Sequence, residues 1–368
     1  MGDLLIGLTS LIANPKMILM MIVGGILIYL AIKKDYEPAL LLPIGFGTIL
    51  ANIPFSSAIG EHGPLTLLFN AGIMTELFPI LIFIAIGAMI DFSVLLRNPF
   101  MLMFGAAAQF GIFFAMMMAS LLGFSFLESA AIGIIGAADG PTSIFVAGRF
   151  APELLGPITV AAYSYMALVP IIQPPVIRLL TTQNERRIRM DSFNAQVPKT
   201  VKILFPIIIT IIAGIVAPTS VALVGFLMFG NLLRECGVLD KLAKSAQNEL
   251  SSLVTILLGI TIASTMTAEK FLNLQTLYIL GLGLIAFIAN TAGGVLFAKI
   301  LNLFLKKKVN PMIGAAGISA FPMSARVIQK MGQKEDKQNF LLMPATSANV
   351  AGQIGSVIAG GLILALCS

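Results

Sequence analysis

The sequence predicts an all-α polytopic membrane protein, and three observations lead to this prediction. Of the 368 residues, 58% are hydrophobic and only 11% are charged, which is too few charges to cover a soluble protein of this size. The basic residues occur in short clusters between long apolar runs, as in membrane helices joined by short loops. The formal net charge of +6 is therefore not gathered on a polar stripe, and this excludes a nucleic-acid-binding domain.

Apolar stretches near the spanning length of about 20 residues recur along the chain. In order, they are 17–32, 37–53, 65–90, 100–124, 129–146, 154–180, 201–217, 219–233, 250–266, 274–305, 311–327 and 340–366. Several are short and contain Gly, Pro, Ser or Asn, and such breaks persist in lipid only where protein or a water-filled cavity satisfies the backbone. We therefore expect about ten or eleven membrane segments, some of them broken.

Clusters of basic residues mark the loops that we expect at the cytoplasmic face. They lie at 33–34, at Arg97, within 184–202 and at 306–308. Counting whole spans from 33–34 puts the 184–202 loop on the wrong side of the membrane. One segment must therefore turn back, and the sequence predicts a hairpin or broken helix around Gly136–Pro141.

The two halves of the chain contain a similar motif, IGAAD at Ile135–Asp139 and IGAAG at Ile313–Gly317. Paired broken segments in two halves are typical of transporters that bind their cargo at the bilayer midplane. The prediction is a transporter-like fold of two inverted repeats with broken or re-entrant helices, for which an elevator-type mechanism is one option. The alternative is chance, because Gly-Ala-Ala is common where membrane helices pack closely.

Four regions follow from this organisation. We expect N-terminal membrane helices at 1–60 and a first repeat at 61–180 that contains the Asp139 break. A basic cytoplasmic loop at 181–200 leads to a second repeat at 201–368, which contains the breaks at Asn310 and Asn349.

Asp139 is the only charged residue in the segment 129–148. A carboxylate at membrane depth costs roughly 2.5–3.5 kcal/mol, so such a residue usually faces a cavity, a cation or a proton path. Gly140–Pro141 interrupts the helix, and Thr142 and Ser143 add hydroxyl oxygens. Oxygen ligands without soft donors suit a hard cation, so the segment predicts a site for sodium or a proton. The alternative is a carboxylate near the interface that caps the next helix.

Further polar residues form two later groups. Asn310 precedes a proline and can cap a helix, and Ser319 follows in a segment interrupted by Gly314. Arg326 fits a snorkelling charge as well as a bidentate donor to a carboxylate or carbamate group. The segment 347–353, which contains Asn349, sets amides and a hydroxyl among small residues, a composition also typical of simple helix packing.

Other side chains have two interpretations each. Tyr163 and Tyr165 are typical of interface-anchoring aromatic residues, but a buried phenol near a carboxylate can also relay a proton. Glu76 in an apolar helix is compatible with a functional or a structural role. Asp91 is expected to pair with Arg97 at a helix end. The two cysteines and the single histidine provide no pair for a metal site or a Cys/His nucleophile.

Three motifs, taken together, resemble one family. They are GAADGPTS around Asp139 with Tyr165 downstream, NPMIGAAGIS from Asn310 to Ser319 with Arg326 downstream, and SANVAGQ around Asn349. Their order and spacing are similar to those of the membrane beta subunit of biotin-dependent sodium-translocating decarboxylases. These enzymes act on oxaloacetate, methylmalonyl-CoA or glutaconyl-CoA, and the resemblance covers nearly the whole chain.

The resemblance implies a multi-pass subunit of the inner cell membrane that decarboxylates carboxybiotin and couples this reaction to sodium export, consuming a proton from outside. Sodium ions are implied, as is carboxybiotin on a partner biotin carrier protein. The other implied partners are a carboxyltransferase alpha subunit, a small single-span gamma or delta subunit, and further copies of this chain. A compact N-terminus favours an acyl-CoA system. The residues alone are also compatible with a stand-alone sodium-coupled carboxylate transporter or a structural membrane anchor.

The resemblance also implies a role for each matching residue. Asp139, Asn310, Asn349 and Ser319 correspond to the sodium site. Asp139, Tyr165, Ser319 and Arg326 correspond to the catalytic and proton-transfer residues, with Arg326 near the carboxybiotin. Structural roles are implied for Gly140, Pro141 and Gly314, of which Gly314 corresponds to a glycine that tolerates little bulk.

Overall fold

The computed structural model describes residues 2–34, 38–190, 196–216 and 218–367, and within these ranges the chain is α-helical without a strand. The predicted all-α class is confirmed. The helices, in chain order, are α1 Gly2–Ala13, α2 Pro15–Lys34, α3 Pro38–Asn52, α4 Pro64–Leu68, α5 Leu77–Met89, α6 Ser93–Arg97, α7 Leu102–Ala107, α8 Phe110–Leu121, α9 Phe126–Gly133, α10 Gly140–Phe150, α11 Leu155–Ala167, α12 Val169–Leu180, α13 Gln183–Arg186, α14 Lys199–Val216, α15 Val221–Glu235, α16 Asp240–Ser245, α17 Ser251–Ile262, α18 Ala268–Phe271, α19 Leu274–Phe304, α20 Met312–Ala315, α21 Met323–Glu335 and α22 Leu342–Cys367. Short 3-10 or π-helical turns lie at Phe69–Ile73, Pro99–Met101, Ile134–Ala137, Pro152–Leu154, Pro218–Ser220, Ala246–Leu250 and Ala263–Thr265.

Five helices of the described residues are long and apolar enough to cross a membrane, and two bent helix pairs raise this number to seven if each pair is one span. The five are Pro15–Lys34, Pro99–Leu121, Asp240–Thr265, Leu274–Phe304 and Leu342–Cys367. The bent pairs are Pro64–Ile73 with Leu77–Met89, at 62°, and Pro152–Ala167 with Val169–Leu180, at 68°. This number is below the predicted ten or so, because several predicted segments are short helices or broken arms.

Hairpin 1, which comprises residues 126–150, contains the predicted break. A capping box at Ser125 starts α9, and the chain leaves the helical path at Ala138, whose φ of 52° is left-handed. Asp139 is extended and caps α10, which has a proline in its first turn. Ile134 before the break and Val146 after it both lie within 4 Å of the Cβ position of Gly360 on α22. The chain therefore doubles back around Asp139.

Hairpin 2, which comprises residues 310–339, doubles back in the second half. Its first arm contains α20, its tip is the irregular segment 316–322, and its second arm is α21. The Ser324 hydroxyl lies within hydrogen-bond distance of two acceptors, the Ala315 carbonyl oxygen (3.1 Å) and the side-chain oxygen of Gln173 of α12 (3.0 Å), and it can donate to either. These bonds hold the two arms together and against α12.

Helix pairs that connect the two halves of the chain pack at glycines. A Cβ on Gly87 of α5 would lie 1.8 Å from the Leu227 carbonyl oxygen of α15, and one on Gly47 of α3 would lie 2.5 Å from Ala263 Cβ. The Asn231 amide of α15 donates to the Ile90 carbonyl (3.0 Å) and fixes the end of α5. These contacts set the positions of α3, α5 and α17, which face the hairpin tips. The inverted relation between the two halves stays a prediction.

Candidate functional site

Asp139 is buried at the tip of hairpin 1, with 3% of its surface exposed. One carboxylate oxygen accepts a hydrogen bond from the Thr142 backbone N–H (3.2 Å), as in an N-cap. The other accepts bonds from the Ser356 hydroxyl (2.5 Å) and the Gln353 amide (3.0 Å) of α22. The N-terminus of α10 favours negative charge at this position. Asp139 therefore caps a helix and is also buried, so a helix-capping role does not exclude a role in binding sodium or a proton.

The tips of the two hairpins meet beside Asp139. The Ser319 backbone N–H of hairpin 2 donates to the Ala137 carbonyl of hairpin 1 (3.1 Å). Helix α22 supports this junction, because the Ser319 hydroxyl donates to the Gly352 carbonyl (2.9 Å) and the Asn349 amide donates to the Ile318 carbonyl (2.5 Å). On the other side, the Asn290 amide of α19 donates to the Gly136 carbonyl. Both breaks are thus held by side-chain bonds from long helices.

A cavity of about 350 Å³ lies at this junction. Asp139, Ser319 and Gln353 contribute polar atoms to one side, and α3, α5 and α17 form the other side, which includes Ser251 and Thr255. The Tyr163 ring also lines the cavity and packs directly on Gly140, where a Cβ would lie 2.1 Å from its Cζ. The site therefore lies between the hairpins and a separate wall of helices.

The cavity offers oxygen ligands with a single negative charge. Among the described residues, no three His, Cys, Asp or Glu side chains gather as a metal cluster, so Asp139 is accompanied by neutral oxygens. Asn349 is not among the residues that line the cavity, but its amide binds the Ile318 carbonyl next to Ser319. Its side-chain oxygen is buried, and no donor within the described ranges reaches it. A buried acceptor without a partner is costly unless a ligand satisfies it. One carboxylate and several neutral oxygens match the charge of a monovalent hard cation.

The structure brings Asp139, Ser319, Asn349 and the break at Gly140–Pro141 together, but other predicted residues lie apart. Asn310 is fully buried at the base of hairpin 2, where its amide donates to the carbonyls of Arg186 (2.9 Å) and Ile188 (2.8 Å). It is not among the residues that line the Asp139 cavity.

Arg326 and Tyr165 are also outside the cavity lining. Arg326 is exposed on α21. The Tyr165 hydroxyl donates to the Leu280 carbonyl of α19 (2.5 Å). Gly314 packs against α19, and a Cβ there would lie 1.9 Å from the Gly294 carbonyl oxygen, which gives a physical reason for its small size.

The acidic residues Glu76 and Asp91 form ion pairs. Glu76 has a left-handed φ of 62° at the bend before α5 and lies 3.5 Å from Arg149 at the end of α10. Asp91 pairs with Arg234 of α15 (3.8 Å), so the prediction that it pairs with Arg97 is wrong. The physical reason is the close packing of α5 on α15, which brings Arg234 to the end of α5.

The role of α22 was only partly predicted. The composition of the 347–353 segment fits simple helix packing as well as a site, and Ser356 lies outside this segment, although Gln353 and Ser356 both donate hydrogen bonds to Asp139. A signal was available, because Asn349, Gln353 and Ser356 follow the i, i+4, i+7 spacing of one helix face. The family resemblance gave a role to Tyr165 and none to Tyr163, yet it is Tyr163 that lines the cavity.

The sequence profile of one family, described as the Na+-transporting oxaloacetate decarboxylase beta subunit, matches residues 16–367. The chain belongs to this family. The resemblance seen in the motifs is thereby confirmed, and the protein is a membrane subunit of a sodium-translocating decarboxylase. Together with the apolar helices, this membership makes it a multi-pass membrane protein.

Relatives of this beta subunit match it almost from end to end. The methylmalonyl-CoA decarboxylase subunit beta of Propionigenium modestum is 50% identical over 96% of this chain and 95% of its own length. The glutaconyl-CoA decarboxylase subunit beta of Acidaminococcus fermentans is 50% identical over 100% of this chain and 99% of its own. The probable oxaloacetate decarboxylase beta chain of Vibrio cholerae is 45% identical over 94% of each.

Proposed function

We propose that Asp139 binds a sodium ion and a proton alternately, and that this exchange couples decarboxylation of carboxybiotin to sodium export. The observation that carries the proposal is a single buried carboxylate at the junction of two helix breaks, beside a cavity. A carboxylate in a low-dielectric site is stable only when a cation, a proton or hydrogen-bond donors neutralise it. Sodium and a proton carry the same charge, so they can replace each other there.

The proposed sodium ligands are oxygens of Asp139, Ser319 and Asn349. Ser319 and Asp139 both line the cavity, and the Asn349 oxygen is buried without a donor within the described ranges. Gln353 and Ser356 hold the carboxylate through their donors, which favours its ionised form. Backbone carbonyl oxygens at the two helix breaks are further proposed ligands, of the kind that transporters use for sodium.

The sodium ion is the cargo, and its export requires energy. Moving one positive charge outward against a potential of about 100 mV costs about 2.3 kcal/mol. Carboxybiotin, supplied by a partner biotin carrier protein, releases carbon dioxide when its ureido nitrogen takes up a proton. In our proposal Asp139 supplies that proton as sodium binds, with Tyr165 and Ser319 in the transfer pathway, and a proton from outside later replaces the sodium.

Arg326 is the proposed contact for the carboxyl group of carboxybiotin. It is an exposed cation on the second arm of hairpin 2, whose tip contains Ser319. A guanidinium group binds a carboxylate or carbamate through two parallel hydrogen bonds. An arginine at an accessible position is therefore suited to a group that arrives on a mobile partner.

Alternating access follows from the position of the cavity. One side of it consists of the hairpin tips and α22, and the other of α3, α5 and α17. Movement of the hairpin side along this wall would expose Asp139 to one face of the membrane at a time and prevent a leak. An elevator-type motion of two inverted repeats is the proposed form of this movement.

The partner subunits and the acyl substrate are also proposals. A beta subunit implies a complex, and we infer a biotin carrier protein, a carboxyltransferase alpha subunit, a small single-span gamma or delta subunit and further copies of this chain. The identity to subunits named for methylmalonyl-CoA and glutaconyl-CoA is 50%, against 45% for one named for oxaloacetate. This difference favours an acyl-CoA substrate.

The test uses the complete complex in sealed vesicles, with decarboxylation and sodium uptake measured together. Asp139→Asn is expected to abolish sodium-dependent decarboxylation and transport together, because a neutral amide can neither neutralise sodium nor release a proton. Asp91→Asn, a matched change outside the cavity, is expected to leave both near the wild-type level. Full coupled activity of Asp139→Asn would contradict the proposal, and biotin-independent carboxylate uptake by the chain alone would favour a stand-alone transporter.

A further inference from the structure

Asn310 has a complete set of protein partners at the base of hairpin 2. Its two amide hydrogens are directed to two backbone carbonyls, those of Arg186 (2.9 Å) and Ile188 (2.8 Å). Its side-chain oxygen accepts the backbone N–H of Met312 (3.1 Å). The residue is 0% exposed, so in this conformation its amide donors are fully used and no solvent reaches its oxygen.

Asn339 binds the same two carbonyls from the other arm of the hairpin. Its amide donates to Arg186 (3.1 Å) and to Ile188 (3.4 Å), and the residue is also 0% exposed. Asn310 precedes α20 and Asn339 follows α21. The 186–188 segment therefore lies across the base of hairpin 2 and is bonded to both of its ends.

Charged groups surround this junction and strengthen it. The Arg186 guanidinium contacts Glu335 (2.8 Å), and only 13% and 16% of these side chains are exposed. Arg189 contacts Asp336 at 2.7 Å. Both acidic residues belong to the end of the second arm, so the ion pairs and the two asparagines join the same pair of segments.

We propose that Asn310 and Asn339 form a latch that fixes the 186–188 segment to the base of hairpin 2, and that Asn310 is a positioning residue and not a sodium ligand. The latch is a structural inference, and its consequence for pumping rests on the function proposed above. Both carboxamides donate to the carbonyls of Arg186 and Ile188, so both hold the same segment in place. Neither Asn310 nor Asn349 is among the residues that line the Asp139 cavity. The two differ in their side-chain oxygens, because that of Asn310 accepts the Met312 backbone N–H, whereas that of Asn349 is buried and has no donor among the described residues.

The latch matters for the site because the base of hairpin 2 determines where its tip lies. The tip contains Ser319 and Phe321, which line the cavity, and its arms are tied to each other through Ser324 and Ala315. A loosened base would let the tip adopt several positions. Fewer molecules then have an assembled site, so the apparent sodium affinity falls in proportion to that fraction. This fall is expected to be similar whichever of the two asparagines is removed.

The experiment compares Asn310→Ala, Asn339→Ala and the double variant in the complete complex. Limited trypsin digestion reports the latch directly, because Arg186, Arg187 and Arg189 are cleavage sites in the latched segment. We expect each single variant to speed cleavage there by about tenfold. The double variant should be cleaved only slightly faster than either single variant, because the segment must be bonded to both arms to stay fixed and the loss of one side already releases it. Glu335→Gln, which keeps the size of the side chain and removes only its charge, should give a smaller increase. This milder variant keeps the test informative if the alanine variants fail to fold.

The sodium concentration for half-maximal decarboxylation separates a latch from a ligand. The latch predicts similar rises, of about threefold or less, for Asn310→Ala and Asn339→Ala, and a much larger rise for Asn349→Ala. A rise for Asn310→Ala alone, with normal trypsin resistance and a silent Asn339→Ala, would overturn the proposal. Since the trypsin result does not depend on pumping, failure of the latch and failure of the sodium mechanism are distinguishable.

Discussion

Replacement of Gly140 by alanine should disturb the site through a single steric contact. A Cβ at this position would lie 2.1 Å from Cζ of Tyr163, whereas carbon atoms in contact are about 3.5 Å apart. The ring must therefore retreat by about 1.4 Å, and overpacking of this kind typically costs about 1–3 kcal/mol. That energy corresponds to a factor of about 5 to 160 in an equilibrium constant.

The displaced ring forms part of the wall around Asp139, so the strain should affect both folding and the site. We expect Gly140→Ala to lower the midpoint of thermal unfolding and to raise the sodium concentration for half-maximal decarboxylation about fivefold or more. The assays are thermal unfolding in mild detergent and sodium-dependent decarboxylation by the complete complex.

Gly148→Ala in the same helix is the matched control. A Cβ there would lie 3.7 Å from Ile73 Cγ2, an ordinary contact, and alanine favours a helix over glycine by up to about 1 kcal/mol. Tyr163→Leu in the Gly140→Ala background should recover part of the loss, because the clashing ring is gone. If Gly140→Ala behaves like Gly148→Ala in both assays, the packing of Tyr163 on the helix break is not as described.

Three further changes test separate contacts. Ser356→Ala removes a 2.5 Å hydrogen bond to Asp139 and should weaken sodium affinity by about tenfold or more, since bonds to charged groups contribute about 1.5–3 kcal/mol; an unchanged sodium titration would contradict this. Tyr165→Phe removes a bond to Leu280 and should cost about 0.5–1.5 kcal/mol of stability; a proton-pathway role further predicts a fall in maximal rate at normal sodium affinity. Burial raises the pKa of Glu335, but the hydrogen bond and charge of Arg186 outweigh it and keep the pKa below its ordinary value of 4.5. The ion pair therefore stabilises the fold above that pH, and its contribution is lost as the pH falls through the lowered pKa. On acidification, the midpoint of thermal unfolding should consequently fall less in Glu335→Gln than in the wild type.

The break at Asp139 could be predicted because its causes are local. Gly140–Pro141 cannot continue a preceding helix in the ordinary way, and an isolated carboxylate in an apolar segment requires a special environment. The turn back of hairpin 1 followed from the distribution of basic loops, which is a property of the sequence alone. The all-α membrane class followed from composition for the same reason.

The partners of Asp139 depend on tertiary packing and were harder to predict. Asn349 and Gln353 differ little in sequence context, yet Gln353 binds the carboxylate while Asn349 binds the Ile318 carbonyl. Asn310 matched the family motif, but no local pattern reveals that its amide meets a segment more than a hundred positions earlier, at Arg186 and Ile188. Asp91 was assigned to the nearest cation in sequence, whereas helix packing supplied Arg234.

Direct binding of radioactive sodium to the purified complex at equilibrium, without turnover, tests the central claim most directly. The account predicts saturable binding to the wild type that competes with protons, is lost in Asp139→Asn and is weakened in Asn349→Ala, while Asn310→Ala retains it. Sodium binding of undiminished affinity and stoichiometry in Asp139→Asn would contradict the account, because the one buried carboxylate of the cavity would then not be the ion's counter-charge.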